Sequence, residues 1–285
     1  MPNKIHFIKK FTQIANNEPF FSEIKEYDEN EKLISLLEYD IDEIIIYEYI
    51  AEYSEAGRLI IEKNNYMDEN SGEKKHYIYL EGELIQLKIV SEAGWCSTKD
   101  YNFDKNTNKL TITSFDESNK IEETVIIEYN DKKEVISKQV FDEDDKLMSM
   151  TKTSYNDNGK VLMNEEYDDK KKLEKSYNYS YNELGNVIQT IVYNGKGKII
   201  DWSKNIYDEE NKIIEQQSMS GTIIKNEYSK EEKALIETLY ASNGAKIRQT
   251  KTLFDENNNI IEEHPHSFID YQDDTIFKYE YVYYE

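Results

Sequence analysis

The chain is poor in several things. It has one cysteine, Cys96, in 285 residues, so an intrachain disulfide is excluded; this fits a reducing compartment. Arginine is limited to Arg58 and Arg248, which leaves lysine to carry the positive charge. Apolar residues make up 38%, against about 45–50% in ordinary globular domains. No apolar run approaches the ~20 residues of a spanning helix. The opening stretch MPNKIHFIKKFTQIANNEPFF is interrupted by Lys9 and Lys10, so it lacks the apolar core of a secretory leader. These absences lead to the expectation of a soluble, cytoplasmic protein.

Acidic residues outnumber basic ones, 58 to 35, and the formal charge is −23. Such a chain repels phosphate, which excludes nucleic acid and anionic membrane surfaces as partners. It favours a basic protein partner by charge complementarity. The same charge also serves plain solubility.

What is abundant is tyrosine, 24 residues, with 10 phenylalanines. Tyrosine buries a large ring while its hydroxyl stays wet, which suits a thin sheet. The aromatics are also periodic. Phe103, Phe115, Tyr129, Phe141, Tyr155, Tyr167, Tyr181, Tyr193 and Tyr207 follow one another at alternating intervals of 12 and 14 residues. Tyr27, Tyr39 and Tyr53 repeat the pattern early, and Tyr228, Tyr240 and Phe254 repeat it late. A turn cluster follows each aromatic: DEDDK, NDNGK, NELGN, NGKGK and DEENK among them. Asp, Asn and Gly favour turns through local side-chain bonds and tolerance of positive φ. The segments between are rich in Ile, Val, Tyr and Thr and have strand length.

This predicts an all-β fold: an elongated, sheared and curled antiparallel β-meander of repeated hairpins, with a short N-terminal helix. The helix follows from Ile5, Ile8, Phe11 and Ile14 at near-helical spacing. The divisions expected within one repeat-sheet domain are a helical cap over 1–20, first repeats over 21–66, an irregular hairpin insert over 67–102, regular repeats over 103–260 and a terminal strand over 261–285. Inside the insert, Glu81-Gly82 marks a tight hairpin and SEAGWCSTKD a loop. Because both intervals are even, every turn aromatic is expected on one side of the pleat. Descending 12 residues and returning 14 shears the sheet by roughly 7 Å per ~10 Å of width, a tilt of ~35°.

YNDNGKV, YNELGNV and YNGKGKI resemble the Tyr-Asp/Asn-x-x-Gly-x-aliphatic core of the YD (RHS) repeats of bacterial toxin-shell proteins and, more loosely, MORN-type repeats. The likeness covers about two thirds of the chain and implies antiparallel repeat sheets. Small proteins with such repeats resemble immunity proteins and antitoxins encoded beside polymorphic toxins. The resemblance therefore implies a protein that binds and neutralises a basic toxin effector domain. The alternative is a structural or scaffold repeat protein without toxin neutralisation.

The residues offer little chemistry. His264 and His266 form a His-x-His pair, but zinc sites need three or four ligands. A calcium loop begun at Asp142 would need Gly and Glu at its sixth and twelfth positions, where Leu147 and Thr153 stand; DENSG at 68–72 fails in the same way. Cys96 matches no nucleophile signature, and NGKGK lacks phosphate-loop spacing. The expectation is no enzyme, no catalytic residue, no cofactor and no metal. For partner binding, parity places Tyr155, Tyr167 and Tyr181 on a packing face and Glu166, Glu174, Asn178, Trp202 and Lys204 on the other. Trp202 is the candidate anchor, with Glu166 and Glu174 as the acids that meet a basic partner.

Overall fold

The structure, a computed structural model, describes residues 4–15, 17–67, 71–269 and 275–284. The strands of the first quarter are Ile5–Ile14 (β1), Phe20–Tyr27 (β2), Leu33–Tyr39 (β3), Ile45–Tyr53 (β4), Leu59–Tyr66 (β5) and Ser71–Leu80 (β6). Next come Glu83–Ser91 (β7), Cys96–Asp104 (β8), Lys109–Phe115 (β9), Ile121–Tyr129 (β10), Val135–Asp142 (β11) and Leu147–Tyr155 (β12). Then follow Val161–Tyr167 (β13), Leu173–Tyr181 (β14), Val187–Asn194 (β15), Ile199–Tyr207 (β16) and Ile213–Ser218 (β17). The last are Ile223–Ser229 (β18), Ala234–Tyr240 (β19), Lys246–Phe254 (β20), Ile260–Ser267 (β21) and Thr275–Tyr283 (β22). Among the described residues, these 22 strands belong to one sheet. The chain divides into two compact units, Met1–His76 with Ser91–Gly94 and Gly221–Glu285, and Tyr77–Val90 with Trp95–Ser220.

The all-β expectation holds; the open meander and the helix do not. In the first unit β1 is hydrogen-bonded on both sides. Lys9 stands opposite Ile24 of β2 and opposite Glu280 of β22. First and last strands thus pair, and the connectivity is that of a closed antiparallel barrel, which removes the free edges a meander leaves. The predicted helix is strand β1. Its apolar residues are split between the two faces, Ile8 and Ile14 on one and Phe7 and Phe11 on the other. Every residue of β1 is half-buried, so the three-residue spacing does not mark one helical stripe. Of the loop expected at SEAGWCSTKD, the part from Cys96 on belongs to β8, while 92–95 remain a turn. His264, Pro265 and His266 lie in β21 opposite Lys251, Thr250 and Gln249. The tight hairpin at Glu81-Gly82 is present, with both residues at positive φ, 48° and 92°.

The repeated turn has one construction, seen clearly at Asn156. The Asn156 N–H donates to Lys160 O at 2.8 Å, and the Gly159 N–H donates to Asn156 O at 3.0 Å. The Asn156 side-chain oxygen then accepts from the N–H groups of Asn158 (3.0 Å) and Lys160 (2.9 Å). Gly159 takes φ = 74°, the left-handed region where glycine has no Cβ penalty. Asp168, Asn182 and Asn194 repeat both side-chain bonds. This is why Asp or Asn follows each aromatic of the regular series from Phe103 to Tyr207. The side chain supplies the acceptor that two turn amides need.

The turn ends in a bulge. Ser154 faces Met163, while Tyr155 faces Val161, which leaves Leu162 as the extra residue. Shifts of the same kind recur at Glu166/Tyr167, Ser180/Tyr181 and Val192/Tyr193. One added residue per hairpin reverses parity, so the expectation that all turn aromatics share a side fails. Tyr155, Tyr181 and Tyr207 occupy one face, and Tyr167 and Tyr193 the other. The first three donate from their hydroxyls to Val135 O (2.7 Å), Val161 O (2.6 Å) and Val187 O (2.9 Å). The repeating unit is two strands long. No large side chain among the described residues is fully buried; the buried apolar residues are Ala51, Leu87, Val125, Met150 and Ala234.

Candidate binding face

In the second unit, strand register assembles a surface from β13 to β16. Met163 faces Asn178, Asn178 faces Ile191, and Ile191 faces Trp202. One step away along the strands Ser180, Gln189, Lys204 and Gln217 form a polar row. Glu165, Ser176 and Tyr193 form a third row on the other side. Trp202 and Ile191 are half-buried, and Asn178 and Lys204 are exposed. The face therefore presents a Met–Asn–Ile–Trp stripe between polar borders.

Of the residues singled out from sequence, Trp202, Asn178 and Lys204 come together here, and Glu174 lies on the same side of β14. Glu166 does not. It faces Lys175 and Thr151, on the side that carries Tyr177. Burial raises the Tyr177 phenol above its ordinary range, and the charge and hydrogen bonding of Glu166 add to the effect. Met163 and Ile191 were not foreseen as members of the stripe. Their signal was in the turn: a left-handed residue such as Gly159 before the returning strand implies a bulge, and the bulge fixes which residues meet. On this face Glu165, Glu174 and Glu215 stand against Lys152 and Lys204, so its local charge is much milder than that of the chain.

Elsewhere in this unit, at the turns that precede β11 and β13, Asn130, Asp131, Lys132, Glu134, Tyr155 and Asp157 help to line an open groove of about 510 Å³. In the first unit a second set of polar groups is tightly paired. Lys75 contacts Glu62 at 2.8 Å and Glu73 at 2.7 Å. Burial works against the ammonium, yet the two carboxylates outweigh it and raise the Lys75 pKa well above its usual range. The Tyr279 hydroxyl donates to Glu263 at 2.6 Å; burial first, then that carboxylate, hold the phenol protonated. Groups held in their protonated forms serve poorly as bases or nucleophiles at neutral pH. Among the described residues no three His, Cys, Asp or Glu side chains cluster as a metal centre.

No family model matches the chain, and no curated protein matches it. Among solved structures, a porin-like protein from Bacteroides uniformis aligns over 99% of both chains at 11% identity and a TM-score of 0.37. A TcdB2-TccC3-Cdc42 complex aligns over 94% of this chain and 19% of its own, at 11% identity and a TM-score of 0.25. The Dos1 propeller aligns over 91% of this chain and 73% of its own, at 12% identity and a TM-score of 0.19. At these scores none assigns a function.

The closed connectivity corrects the cytoplasmic expectation. That expectation rested on the lack of an apolar run, and among the described residues no helix is long and apolar enough to cross a membrane. A β-barrel that crosses a membrane does so with strands whose apolar residues alternate with polar ones, so the lack of an apolar run does not exclude one. The cytoplasmic assignment is withdrawn, and the exclusion of membranes loses that support.

Proposed function

We propose that the chain is a non-catalytic binding protein that engages a basic protein partner through the Trp202 face, in its specific form neutralising a toxin effector domain. The observation that carries this reading is the stripe Met163–Asn178–Ile191–Trp202, in which three half-buried apolar side chains, one of them an aromatic anchor, flank an exposed Asn. Such rows suit protein contact, because aromatic and Met side chains are enriched in interface cores. The chain's −23 charge would draw in a basic partner and speed encounter. The turn resemblance to toxin-shell repeats supports the toxin form of the proposal. The scaffold reading is favoured by one observation, the mild local charge of that face, which selects less strongly for a basic partner. Affinity capture from the producing organism separates the two. Recovery of one stoichiometric basic protein, released as salt is raised, supports neutralisation. Recovery of several substoichiometric proteins of mixed charge favours the scaffold.

A further inference from the structure

The turns at 28–32, 130–134, 156–160 and 182–186 are built alike, and the last residue of each reaches to a later turn, 25 positions on. Lys32 Nζ donates to Gly57 O at 2.7 Å and stands 4.9 Å from the centre of the Tyr53 ring, within cation–π reach. Asn186 Nδ2 donates to Asn211 Oδ1. Lys160 lies across Gly185, where a Cβ would come 3.1 Å from its Cε. Glu134 lies across Gly159 in the same way, with Oε1 2.7 Å from a Cβ built there. Tyr53 and Tyr155 are counterparts: their hydroxyls donate to Leu33 O at 3.1 Å and to Val135 O at 2.7 Å. Where the first unit sets a lysine ammonium beside its tyrosine, the second sets the Glu134 carboxylate. Among the described turns closed by this backbone bond, Glu134 is the one acidic last residue; Lys32, Arg58, Lys160 and Lys212 hold the place elsewhere.

Glu134, Tyr155, Ile136, Asp131 and Asp157 all border the open groove at these turns. Glu134 Oε2 accepts from Asn130 Nδ2 at 2.7 Å. No ion pair among the described residues involves Glu134, Asp131 or Asp157. The neighbouring lysines have other partners. Lys132 Nζ donates to Asp157 O at 3.3 Å, and Lys133 Nζ donates to Asn108 Oδ1 and stands 5.1 Å from the Phe103 ring centre. Ile136, 36% exposed, gives the groove an apolar wall. We propose that this groove receives the side chain of a lysine from a partner protein, its methylenes along Ile136 and Tyr155 and its ammonium against Glu134. The partner thereby supplies the cation that Lys32 supplies within the first unit. A compact ammonium suits the place better than a planar guanidinium fork, since the counterpart is itself a lysine. The inference rests on the reading above in drawing that lysine from a basic protein; the ligand chemistry rests on the groove.

A single side chain binds weakly here, with a dissociation constant on the order of 10 mM. The probe is Nα-acetyl-lysine methylamide, titrated to about ten times that concentration at constant ionic strength into the full chain carrying isotope-labelled glycine. The Gly159 amide, beside Glu134, is the NMR reporter. It should show a saturable shift with this probe and none with Nα-acetyl-norleucine methylamide, which keeps the stem and lacks the ammonium. Glu134→Gln should weaken binding about threefold to fivefold. Glu134→Lys should abolish it by installing the chain's own cation, in a turn whose relatives already carry lysine at that place. Trp202→Ala, which tests the reading above, should leave the probe's affinity unchanged, so the two readings fail separately. The proposal is overturned by equal shifts from the norleucine compound, by no saturable shift at Gly159, by undiminished binding to Glu134→Lys, or by a loss in Trp202→Ala as large as that in Glu134→Lys.

Discussion

Replacing Asn156 by alanine removes the acceptor for two turn amides, Asn158 N–H at 3.0 Å and Lys160 N–H at 2.9 Å. A typical hydrogen bond contributes ~0.5–1.5 kcal/mol net. Both donors belong to exposed residues, so water takes over part of each bond and the lower half of that range applies. The expected loss is about 1–2 kcal/mol, similar to loss of a helix N-cap. For a chain of this size that is roughly 2–4 °C in melting temperature per kcal/mol. Asn156→Asp keeps the acceptor and should stay within about 0.5 kcal/mol of the parent. Gly159→Ala adds about 1–2 kcal/mol for a Cβ at positive φ, and its new methyl would sit 2.7 Å from Glu134 Oε1, the mobile end of a side chain that can give way. In repeat sheets each hairpin meets only its neighbours, so hydrogen exchange over residues 154–163 should accelerate more than in the remote hairpins. If Asn156→Asp destabilises as much as Asn156→Ala, the side-chain acceptor is not what holds the turn, and the account of the repeat is wrong.

Trp202→Ala should weaken partner binding by about 2 kcal/mol or more, read by titration of the purified pair; unchanged affinity with a collapsed melting temperature would make Trp202 a packing residue. Glu174→Lys should slow association with a basic partner and flatten its salt dependence, while Glu166→Lys should leave the association rate alone, as stopped-flow mixing would show. Acid should weaken the turns. Asp28 and Asp255 are held below the usual carboxylate range. At Asp255 the Asn259 side-chain amide is the main cause, joined by turn N–H donors; at Asp28 burial opposes the shift, but the N–H groups of Lys32 and Asn30 prevail. A depressed folded-state pKa stabilises above the unfolded value and is lost as pH falls through the folded one, so melting temperature should drop below about pH 4. Asp28→Asn and Asp255→Asn variants should show a shallower acid drop.

Strands and turns were legible because punctuation and β-branched density recur with a fixed interval. The Asp or Asn before each turn and the glycine within it, Asn156 and Gly159 for instance, act locally, within five residues. The faces were not legible from the aromatic intervals alone. The bulge at Leu162 changes parity without changing the spacing of the tyrosines, so Tyr155 and Tyr167 look equivalent in sequence and stand on opposite sides. Glu166 was misplaced for that reason, while Asn178, Trp202 and Lys204 shifted together and kept their company. The strand β1 was missed because its pairing partners are local only on one side. β2 is its neighbour in sequence, but the Lys9–Glu280 pairing with β22 spans almost the whole chain. Nothing in the spacing of Ile5, Ile8, Phe11 and Ile14 could announce it.

The most direct test of the binding face uses two neighbouring positions on β14, Tyr177 and Asn178, which point to opposite sides. A photo-reactive benzoylphenylalanine is placed at each in turn and irradiated in the producing cells, and adducts are identified by mass. The account predicts a single adduct to a basic protein from position 178 and none from position 177. An adduct from position 177 alone, or none from either while the captured partner remains bound, would contradict it.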